Sequence, residues 1–339
     1  MQCTGASRGL SISASAPIVH SDAMTDLKLG ILLWSQGATW PEMLDAAQRV
    51  DRLGYEYLWT WDHLYAIFGD PYQPIFEGWS LLNAWAVATE RTRLGLLVGA
   101  NTFRNPGLVA KTVATLDHVS GGRAILGLGG AWFELEHQAH GIDFGSSVGE
   151  RLNWLDEAVS ACRTVLDGGT VTSKPGGRYA FDDLRHQPLP LQQHLPIMIG
   201  GSGEKKTLRT IAKHADMWNG MGPLDTMARK VEVLRGHCAD VGRDPSEIEM
   251  TLGVKVTIRD SEEEAVRVWK AAMEHNRTPL ANVDDDDTFW NGTPEQLAER
   301  LAPYVELGFH TVISEQPAPY DVESLERFIG QVKPLVERG

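Results

Sequence analysis

The segment YEYLWTWDHLY (55–65) is apolar and aromatic for most of its length, and it places Asp62 and His63 side by side where the apolar run ends. An imidazole titrates near neutral pH, so His63 is a candidate proton donor or acceptor, and Asp62 is a candidate to orient it or a neighbouring group. Adjacent residues on an extended strand point to opposite faces, so a direct hydrogen bond between the two does not follow. The alternative interpretation is a histidine with a purely structural role.

Glycines recur where other apolar runs end. They lie in Gly99-Ala100-Asn101, Gly129-Gly130 and Gly200-Gly201-Ser202-Gly203. Because glycine has no Cβ, the backbone at these places can approach a flat ring or a phosphate closely. The stretch IGGSGEKKT (199–207) predicts an anion site, since a strand turns through glycines into a helix N-terminus with Lys205 and Lys206 nearby. A tight turn without a ligand is the alternative.

Familiar nucleotide and hydrolase motifs are absent from the sequence. Gly203 is followed by Glu204, which excludes a Walker loop. In LGLGGAW (126–132), Trp132 occupies the place of the third glycine of a dinucleotide fingerprint. The chain also has no nucleophile elbow, no H-E-x-x-H zinc motif and no strongly spaced carboxylate pair. These absences disfavour a Rossmann domain and a hydrolase.

Composition narrows the class of protein further. A formal net charge of −14 opposes binding to nucleic acid or to anionic membranes. Cys3, Cys162 and Cys238 lie far apart without metal-ligand spacing, which predicts a reducing, cytoplasmic location. The acidic run 284–287 lacks the spaced ligands of a calcium loop, so we interpret it as a solvated loop and expect no metal. Residues 1–23 are predicted to be a disordered leader, with Met24 as an alternative start.

Short apolar runs alternate with amphipathic helical patterns from residue 27 onward. Strands are predicted at 27–34, 55–65, 93–102, 123–130, 196–201, 216–220, 249–258 and 310–316. This alternation favours an α/β fold with one (β/α)₈ TIM barrel spanning residues 24–339, and a doubly wound sheet is the competing arrangement. The segments 65–78, 167–195 and 276–292 are longer than ordinary βα loops, so we expect them to be functional lids or locally disordered.

Four separated blocks resemble the bacterial luciferase-like monooxygenase superfamily, especially its branch that uses the deazaflavin coenzyme F420. The most specific block is TRLGLLVGANTFRNPGLVAKTVATLDHVSGGRAILGLGGAWFELEHQAHGIDF (92–144). The match continues in the Asp62-His63 pair, in ERLNWLDEAV around Arg151 and in LPIMIGGSGEKKTLRTIAKHADMWN (195–219). It covers roughly residues 27 to 335. The resemblance implies a TIM barrel of the luciferase-like type.

The resemblance also implies roles for particular residues. His63 would lie beside the reacting ring carbon as proton donor or acceptor, and Asp62 belongs to the same pair. A bulge with a non-prolyl cis peptide behind the ring would fall at Leu97, Val98 and Gly99. The implied cofactor-binding residues are Val98, Gly99, Ala100, Asn101, Gly129, Gly130, Gly200, Gly201, Ser202 and Gly203. Relatives that oxidise sugar phosphates have a glutamate at the position of Trp132, so an aromatic pocket for an apolar substrate is expected instead, with Trp34 and Trp132 as its substrate residues. Further candidates for this pocket are Tyr65, Phe68 and Trp79, and the alternative for these aromatic residues is core or lid packing.

The function implied by this resemblance is hydride transfer between F420 and a small organic substrate. The first alternative is an FMN-dependent monooxygenase that uses reduced flavin and oxygen and requires a separate flavin reductase as partner. A non-catalytic flavin-binding barrel is the second alternative, and a phosphate-binding barrel isomerase without flavin is also compatible with the fold. By analogy with relatives, a homodimer is expected.

Overall fold

The computed structural model describes residues 26–173, 175–279 and 287–338. Within these ranges the strands, in chain order, are β1 (Lys28–Leu33), β2 (Tyr57–Thr60), β3 (Arg93–Leu96), β4 (Gly99–Ala100), β5 (Ala124–Gly129), β6 (Ile197–Gly200), β7 (Met217–Gly220), β8 (Glu249–Ile258), β9 (Phe289–Gly292) and β10 (Thr311–Gln316). The predicted leader and Asp284 to Asp286 of the acidic run lie outside the described residues.

The helices surround these strands. They are α1 (Trp40–Leu53), α2 (Gly78–Ala88), α3 (Pro106–Ser120), α4 (Glu134–His140), α5 (Val148–Leu166), α6 (Thr207–His214), α7 (Leu224–Val241), α8 (Glu262–His275), α9 (Pro294–Glu306), α10 (Val322–Arg327) and α11 (Lys333–Arg338). A π-helical turn at Phe328–Val332 joins the last two. No helix among the described residues is long and apolar enough to cross a bilayer.

The parallel strands close into a barrel. Hydrogen-bonded neighbours run β1, β2, β3, β5, β6, β7, β8 and β10, and β10 pairs with both β8 and β1. This closure confirms the predicted (β/α)₈ barrel and excludes the doubly wound sheet, which would leave open edges. In a parallel barrel the carboxyl ends of all strands meet at one face, so the residues that follow the strands are brought together there.

One predicted element is wrong in detail, because the segment 93–102 is not one continuous strand. Gly95 pairs with Ile125 and Gly99 pairs with Leu128, so four steps along this segment match three along β5. The extra residue makes a bulge between β3 and β4. The peptide bond between Leu97 and Val98 within this bulge is cis, which identifies the non-prolyl cis bond that the family resemblance implied.

The three segments that are longer than ordinary βα loops differ in their structure. The segment 276–292 ends in a short strand that was not predicted, β9, which pairs in parallel with the carboxyl end of β8 outside the barrel ring. The segment 65–78 is held by the buried side chain of Gln36, which donates to Phe68 O (3.0 Å) and accepts from Ile67 N (3.0 Å) and Phe68 N (3.2 Å). The segment 167–195 carries an antiparallel bridge between Val171 and Leu184.

Large side chains fill the barrel interior and require glycine at neighbouring strand positions. Trp59 is fully buried, and a Cβ added to Gly95 would lie 2.5 Å from its ring. Gly127 is tighter still, since a Cβ there would lie 1.8 Å from Leu96 O, a backbone atom that cannot rotate away. Interiors packed at crystal-like density do not accommodate such additions.

We therefore expect Gly127→Ala to lower the free energy of unfolding by about 3 kcal/mol, measured by denaturant unfolding. Gly236 is the matched control, because it lies within α7 with no atom within 4 Å of an added Cβ. Gly236→Ala should raise the free energy of unfolding by up to about 1 kcal/mol. Equal effects at the two positions would contradict the packing described here.

Candidate active site

A cavity of about 460 Å³ opens at the carboxyl ends of the strands. Its lining brings together most of the residues singled out in the sequence: Asp62, His63, Val98, Gly99, Ala100, Gly129, Gly130, Trp132, Gly200, Gly201 and Ser202. We call it the barrel cavity. These residues come from four neighbouring strand ends, and the cavity volume lies within the range of small-molecule sites. Their assigned roles stay predictions, while their meeting at one place is a fact of the fold.

His63 is oriented by a carboxylate that the sequence analysis did not identify. Its Nδ1 lies 2.9 Å from Oε1 of Glu136, whose side chain is 1% exposed. The other oxygen of Glu136 accepts from the backbone N–H groups of Leu64 (2.8 Å) and Tyr65 (3.4 Å). Because two backbone N–H groups already donate to this carboxyl group, we assign to His63 the tautomer in which Nδ1–H donates to it. That leaves Nε2, which makes no hydrogen bond to any described residue, available for proton exchange.

Asp62 has different hydrogen-bond partners from His63 and holds the surrounding backbone. Both its oxygens accept from Nη1 of Arg104 (3.0 and 2.7 Å), and Oδ2 also accepts from Ala100 N (2.9 Å). Nη2 of Arg104 donates to Oε1 of Glu77 (2.7 Å), and Glu77 caps the N-terminus of α2. Of the two expectations for Asp62, the structure shows the second, because Asp62 holds neighbouring groups while Glu136 orients His63. Asp62 instead links β2, the β3–β4 bulge and α2.

Burial and charge act in opposite directions in this network. Burial raises the pKa of the Asp62 carboxyl, while Arg104 and the N–H of Ala100 oppose that rise. Burial also acts to lower the pKa of Arg104, but Asp62 and Glu77 reverse this effect and hold it above its usual value. Arg104 therefore stays a cation at every physiological pH, and removing its buried partner would leave that charge paired only with the more exposed Glu77.

A second histidine on α4 has a structural role. His137 is fully buried, and burial lowers its pKa, so it is neutral at neutral pH. Its Nδ1–H donates to Phe133 O (2.8 Å), and its Nε2 accepts from the hydroxyl of Thr102 (2.6 Å). This bond fixes α4 against the loop that follows β4. The same helix therefore both carries Glu136 and is tied to the loop after β4.

Val98 explains much of the glycine pattern at the cavity. A Cβ on Gly129 would lie 2.6 Å from Val98 Cγ2, and a Cβ on Gly200 would lie 3.0 Å from both Val98 methyl groups. These two glycines are thus required by the side chain that the bulge projects toward them. Gly130 has another reason, because a Cβ there would lie 2.8 Å from Leu152 Cδ2.

Three predicted site residues do not line the barrel cavity. Trp34 is fully buried behind Phe68, with the two rings stacked at 4.2 Å, so Phe68 forms the wall in its place. Asn101 is buried, and its side-chain oxygen lies 3.4 Å from the hydroxyl of Tyr179. Gly203 packs against Thr207 instead, since a Cβ there would lie 2.8 Å from Thr207 Oγ1.

The glycine turn after β6 also differs from its prediction. It does not lead directly into a helix, because the turn residues 204–206 separate Gly203 from the start of α6 at Thr207. Leu208 N reaches back to Gly203 O (3.0 Å) across this turn. The backbone of Gly200, Gly201 and Ser202 still lines the cavity, while Gly203 and the helix start lie outside its lining.

Sequence reasoning also missed charged groups on the wall formed by β8 and β10. Lys255 and Glu315 both line the cavity from these paired strands. Lys255 Nζ donates to Thr288 Oγ1 (2.8 Å), and Glu315 accepts from Trp34 Nε1 (3.1 Å). They continue the inward period-two positions of Gly253 and Ile313, which was the signal available in the sequence. No group of three or more His, Cys, Asp or Glu that could hold a metal occurs among the described residues.

Fold and site together define a parallel barrel whose cavity presents one oriented histidine among glycine-rich strand ends. The model of the luciferase-like monooxygenase family matches residues 22–311, so the chain belongs to that family. The fold is similar to that of the coenzyme F420-dependent tetrahydromethanopterin reductase from Methanopyrus kandleri, which superposes with a TM-score of 0.75 at 20% identity, covering 91% of this chain and 99% of that one.

Curated relatives carry two different cofactors in their names. An uncharacterized protein of Mycobacterium tuberculosis is 33% identical over 52% of this chain, and the match spans only 60% of that relative's length. The F420-dependent glucose-6-phosphate dehydrogenase of Microbacterium testaceum is 27% identical over 86% of this chain and 91% of its own length. The FMNH₂-dependent dimethylsulfone monooxygenase of Pseudomonas putida is 25% identical over 86% of each chain. The family is thus established, and the cofactor is a separate question.

The pairing of His63 with Glu136 predicts one tautomer. We expect long-range ¹H–¹⁵N NMR to show neutral His63 protonated at Nδ1, because the carboxylate can only accept. Glu136→Gln should mix the two tautomers, since an amide can accept through its oxygen or donate through its nitrogen. Glu134→Gln, an exposed change on the same helix, should leave the pattern unaltered. An unchanged tautomer in Glu136→Gln would contradict the assigned hydrogen bond.

Loss of the Asp62 charge should destabilise the fold. We expect Asp62→Asn to lower the free energy of unfolding by about 3 kcal/mol, because it leaves Arg104 largely buried beside a weakened partner. Asp45→Asn is the matched control, since the Asp45–Arg49 pair is an exposed contact between residues one helical turn apart. It should change the free energy of unfolding by less than about 0.5 kcal/mol. Equal losses in thermal or denaturant unfolding would refute the anchoring role of Asp62.

Proposed function

We propose that this protein is an F420-dependent oxidoreductase that transfers a hydride between the coenzyme and a small organic substrate. The observation that carries the proposal is the His63–Glu136 pair at the wall of the barrel cavity. Hydride transfer to or from a carbon bonded to oxygen or nitrogen requires a proton to move at that heteroatom. An imidazole held through Nδ1 with Nε2 unbonded is suited to this proton transfer.

The cavity fits a flat ring with a polar tail. Val98 projects toward Gly129 and Gly200, while Gly99, Gly130 and Gly201 add lining that has no side chains. Bound F420 would supply a ring carbon that accepts or donates a hydride, and its reduced form reacts poorly with oxygen. Residues 200–202 would face the ribityl-phosphate end, where backbone N–H groups suit an anion. His63, with Trp132 at 5.6 Å, would face the substrate.

In this proposal each residue has a definite task. Glu136 holds the His63 ring by accepting from Nδ1–H, so that Nε2 is directed to one position. For alcohol oxidation Nε2 takes the hydroxyl proton, and for the reverse reaction the protonated ring returns it. Phe68, Trp61 and Ile67 exclude water from the same wall. General acid–base catalysis of this type contributes about 10²- to 10⁴-fold to the rate.

An FMN-dependent monooxygenase is the second candidate, supported by the named relative from Pseudomonas putida. That activity requires reduced FMN, oxygen and a separate reductase. The two candidates differ in the co-reactant, since a monooxygenase would need oxygen to reach the cavity, whereas a hydride-transfer enzyme would need only its organic substrate. The cytoplasmic location and a homodimer remain expectations.

The first test is selective coenzyme binding. Oxidised F420 and FMN are titrated separately into the protein, and quenching of tryptophan fluorescence is followed, because Trp61 and Trp132 line the cavity. We expect F420 to bind at least about ten-fold more tightly than FMN, a difference of about 1.4 kcal/mol. Preference for FMN, together with oxygen consumption in the presence of reduced FMN, would establish the monooxygenase instead. Binding of neither would refute a flavin site.

The second test concerns His63. Alcohols, imines and enones are screened for turnover with F420, and the first substrate found is used to compare variants. We expect His63→Gln to reduce kcat by about 10²-fold or more while the Kd of F420 changes little, because the imidazole moves the proton and does not hold the coenzyme. His118→Gln, an exposed change on α3, is the control. Unchanged kcat in His63→Gln would remove the assigned role.

A further inference from the structure

A separate groove lies on the outer surface beside the barrel cavity, between α5 and α6. It has a volume of about 200 Å³. Its lining residues are Leu152, Asn153, Asp156, Lys205, Lys206, Arg209, Thr210 and Lys213. We call it the α5–α6 groove. Four of these side chains are cationic and one is anionic, which is a strong local excess of positive charge in a chain of net charge −14.

Two of the four cations already have close partners. Lys213 donates to both oxygens of Asp156 (3.0 and 2.9 Å), which neutralises it. Lys206 donates to Gly149 O (2.8 Å) and Asn153 Oδ1 (2.7 Å), both of them uncharged acceptors. Its side chain is therefore held in place while its charge stays uncompensated.

The other two cations, Lys205 and Arg209, have no close ion-pair partner among the described residues. Lys205 makes no ion pair and no hydrogen bond with any described residue, and its side chain is exposed. Arg209 approaches Asp240 only at 4.0 Å, in a pair whose side chains are 49% and 64% exposed. Such exposed pairs contribute little and separate readily. Three positive charges thus face the groove without a tightly bound carboxylate.

The groove lies close to the part of the barrel cavity that is assigned to the phosphate end of the coenzyme. Ser202 lines the cavity, and Lys205, three residues later, lines the groove. Leu152 lines the groove and also packs against Gly130, which lines the cavity. A ligand that passed Ser202 on leaving the cavity would therefore meet Lys205 next.

We infer that the α5–α6 groove binds the anionic tail of the coenzyme, an inference that rests on the proposed function. F420 continues beyond its ribityl chain into a phosphodiester and a chain of glutamates, whereas FMN ends at its phosphate. Several carboxylates in a row match cations spaced along a turn and a helix. The groove therefore distinguishes the longer coenzyme from the shorter one at a place remote from the reacting ring.

The test compares the Kd of four ligands by fluorescence quenching: the deazaflavin with only its ribityl chain, F420 without glutamates, F420 with several glutamates, and FMN. We expect the polyglutamylated coenzyme to bind about five- to ten-fold more tightly than the form without glutamates at low salt. This advantage should disappear at high salt, because contacts between exposed charges are screened.

Two charge reversals identify the surface responsible. Lys205→Glu and Arg209→Glu should each weaken binding of the polyglutamylated coenzyme by about ten-fold and leave the affinity of the ribityl form unchanged. Lys270→Glu is the matched control, because Lys270 is exposed on α8, outside the groove lining, and its reversal alters the net charge equally. It should change none of the four affinities.

The outcomes separate the inference from the proposed function. If the ribityl form binds and glutamates add nothing, or if the reversals leave the glutamate effect intact, the groove is not a tail site and the proposed function stands. If none of the deazaflavins binds, the proposed function and the inference both fail. Tail-dependent affinity that the two reversals abolish and Lys270→Glu preserves would establish the site.

Discussion

The ion pair between Asp62 and Arg104 is the contact on which the geometry of the site depends. A nearly buried carboxylate must be satisfied by donors, and here the donors come from two different parts of the chain. Arg104 donates from the loop after β4 and Ala100 N donates from β4. Arg104 also donates to Glu77, which extends the network to the start of α2. Because Asp62 precedes His63 directly, fixing the carboxylate also fixes the strand end that presents the imidazole.

A steric constraint complements this electrostatic one. The one-residue bulge between β3 and β4 turns Val98 toward the strand ends of β5 and β6, and only glycine at 129 and 200 leaves room for it. The glycines are thus explained from within the protein, before any ligand is considered. Close packing and ligand binding both require glycine at these positions. A glycine-rich strand end therefore does not by itself distinguish a structural from a functional position.

The sequence predicted the barrel and the cavity face, because both follow from local periodicity and from the positions at which the strands end. It could not predict the partner of His63, since Glu136 lies 73 residues away and Glu134 on the same short helix looks equivalent in the sequence. The prediction that Trp34 lines the pocket was wrong for a related reason. The strand pattern indicates that Trp34 is buried, but only the tertiary packing shows that Phe68 covers its ring. Contacts between residues far apart in the chain, and which of two stacked side chains faces the cavity, are set only in the assembled fold.

The hydrogen bonds of Gln36 bear on how a substrate reaches the cavity. One buried amide group fixes the backbone at Ile67 and Phe68 through three contacts, so this wall cannot swing outward without exposing unpaired polar groups. On the other side Trp132 is 61% exposed, and its ring contacts His63 and Phe133 only edge-on or by loose stacking. Entry and exit are therefore expected beside Trp132, and the size of the side chain at that position would set the rate of product escape.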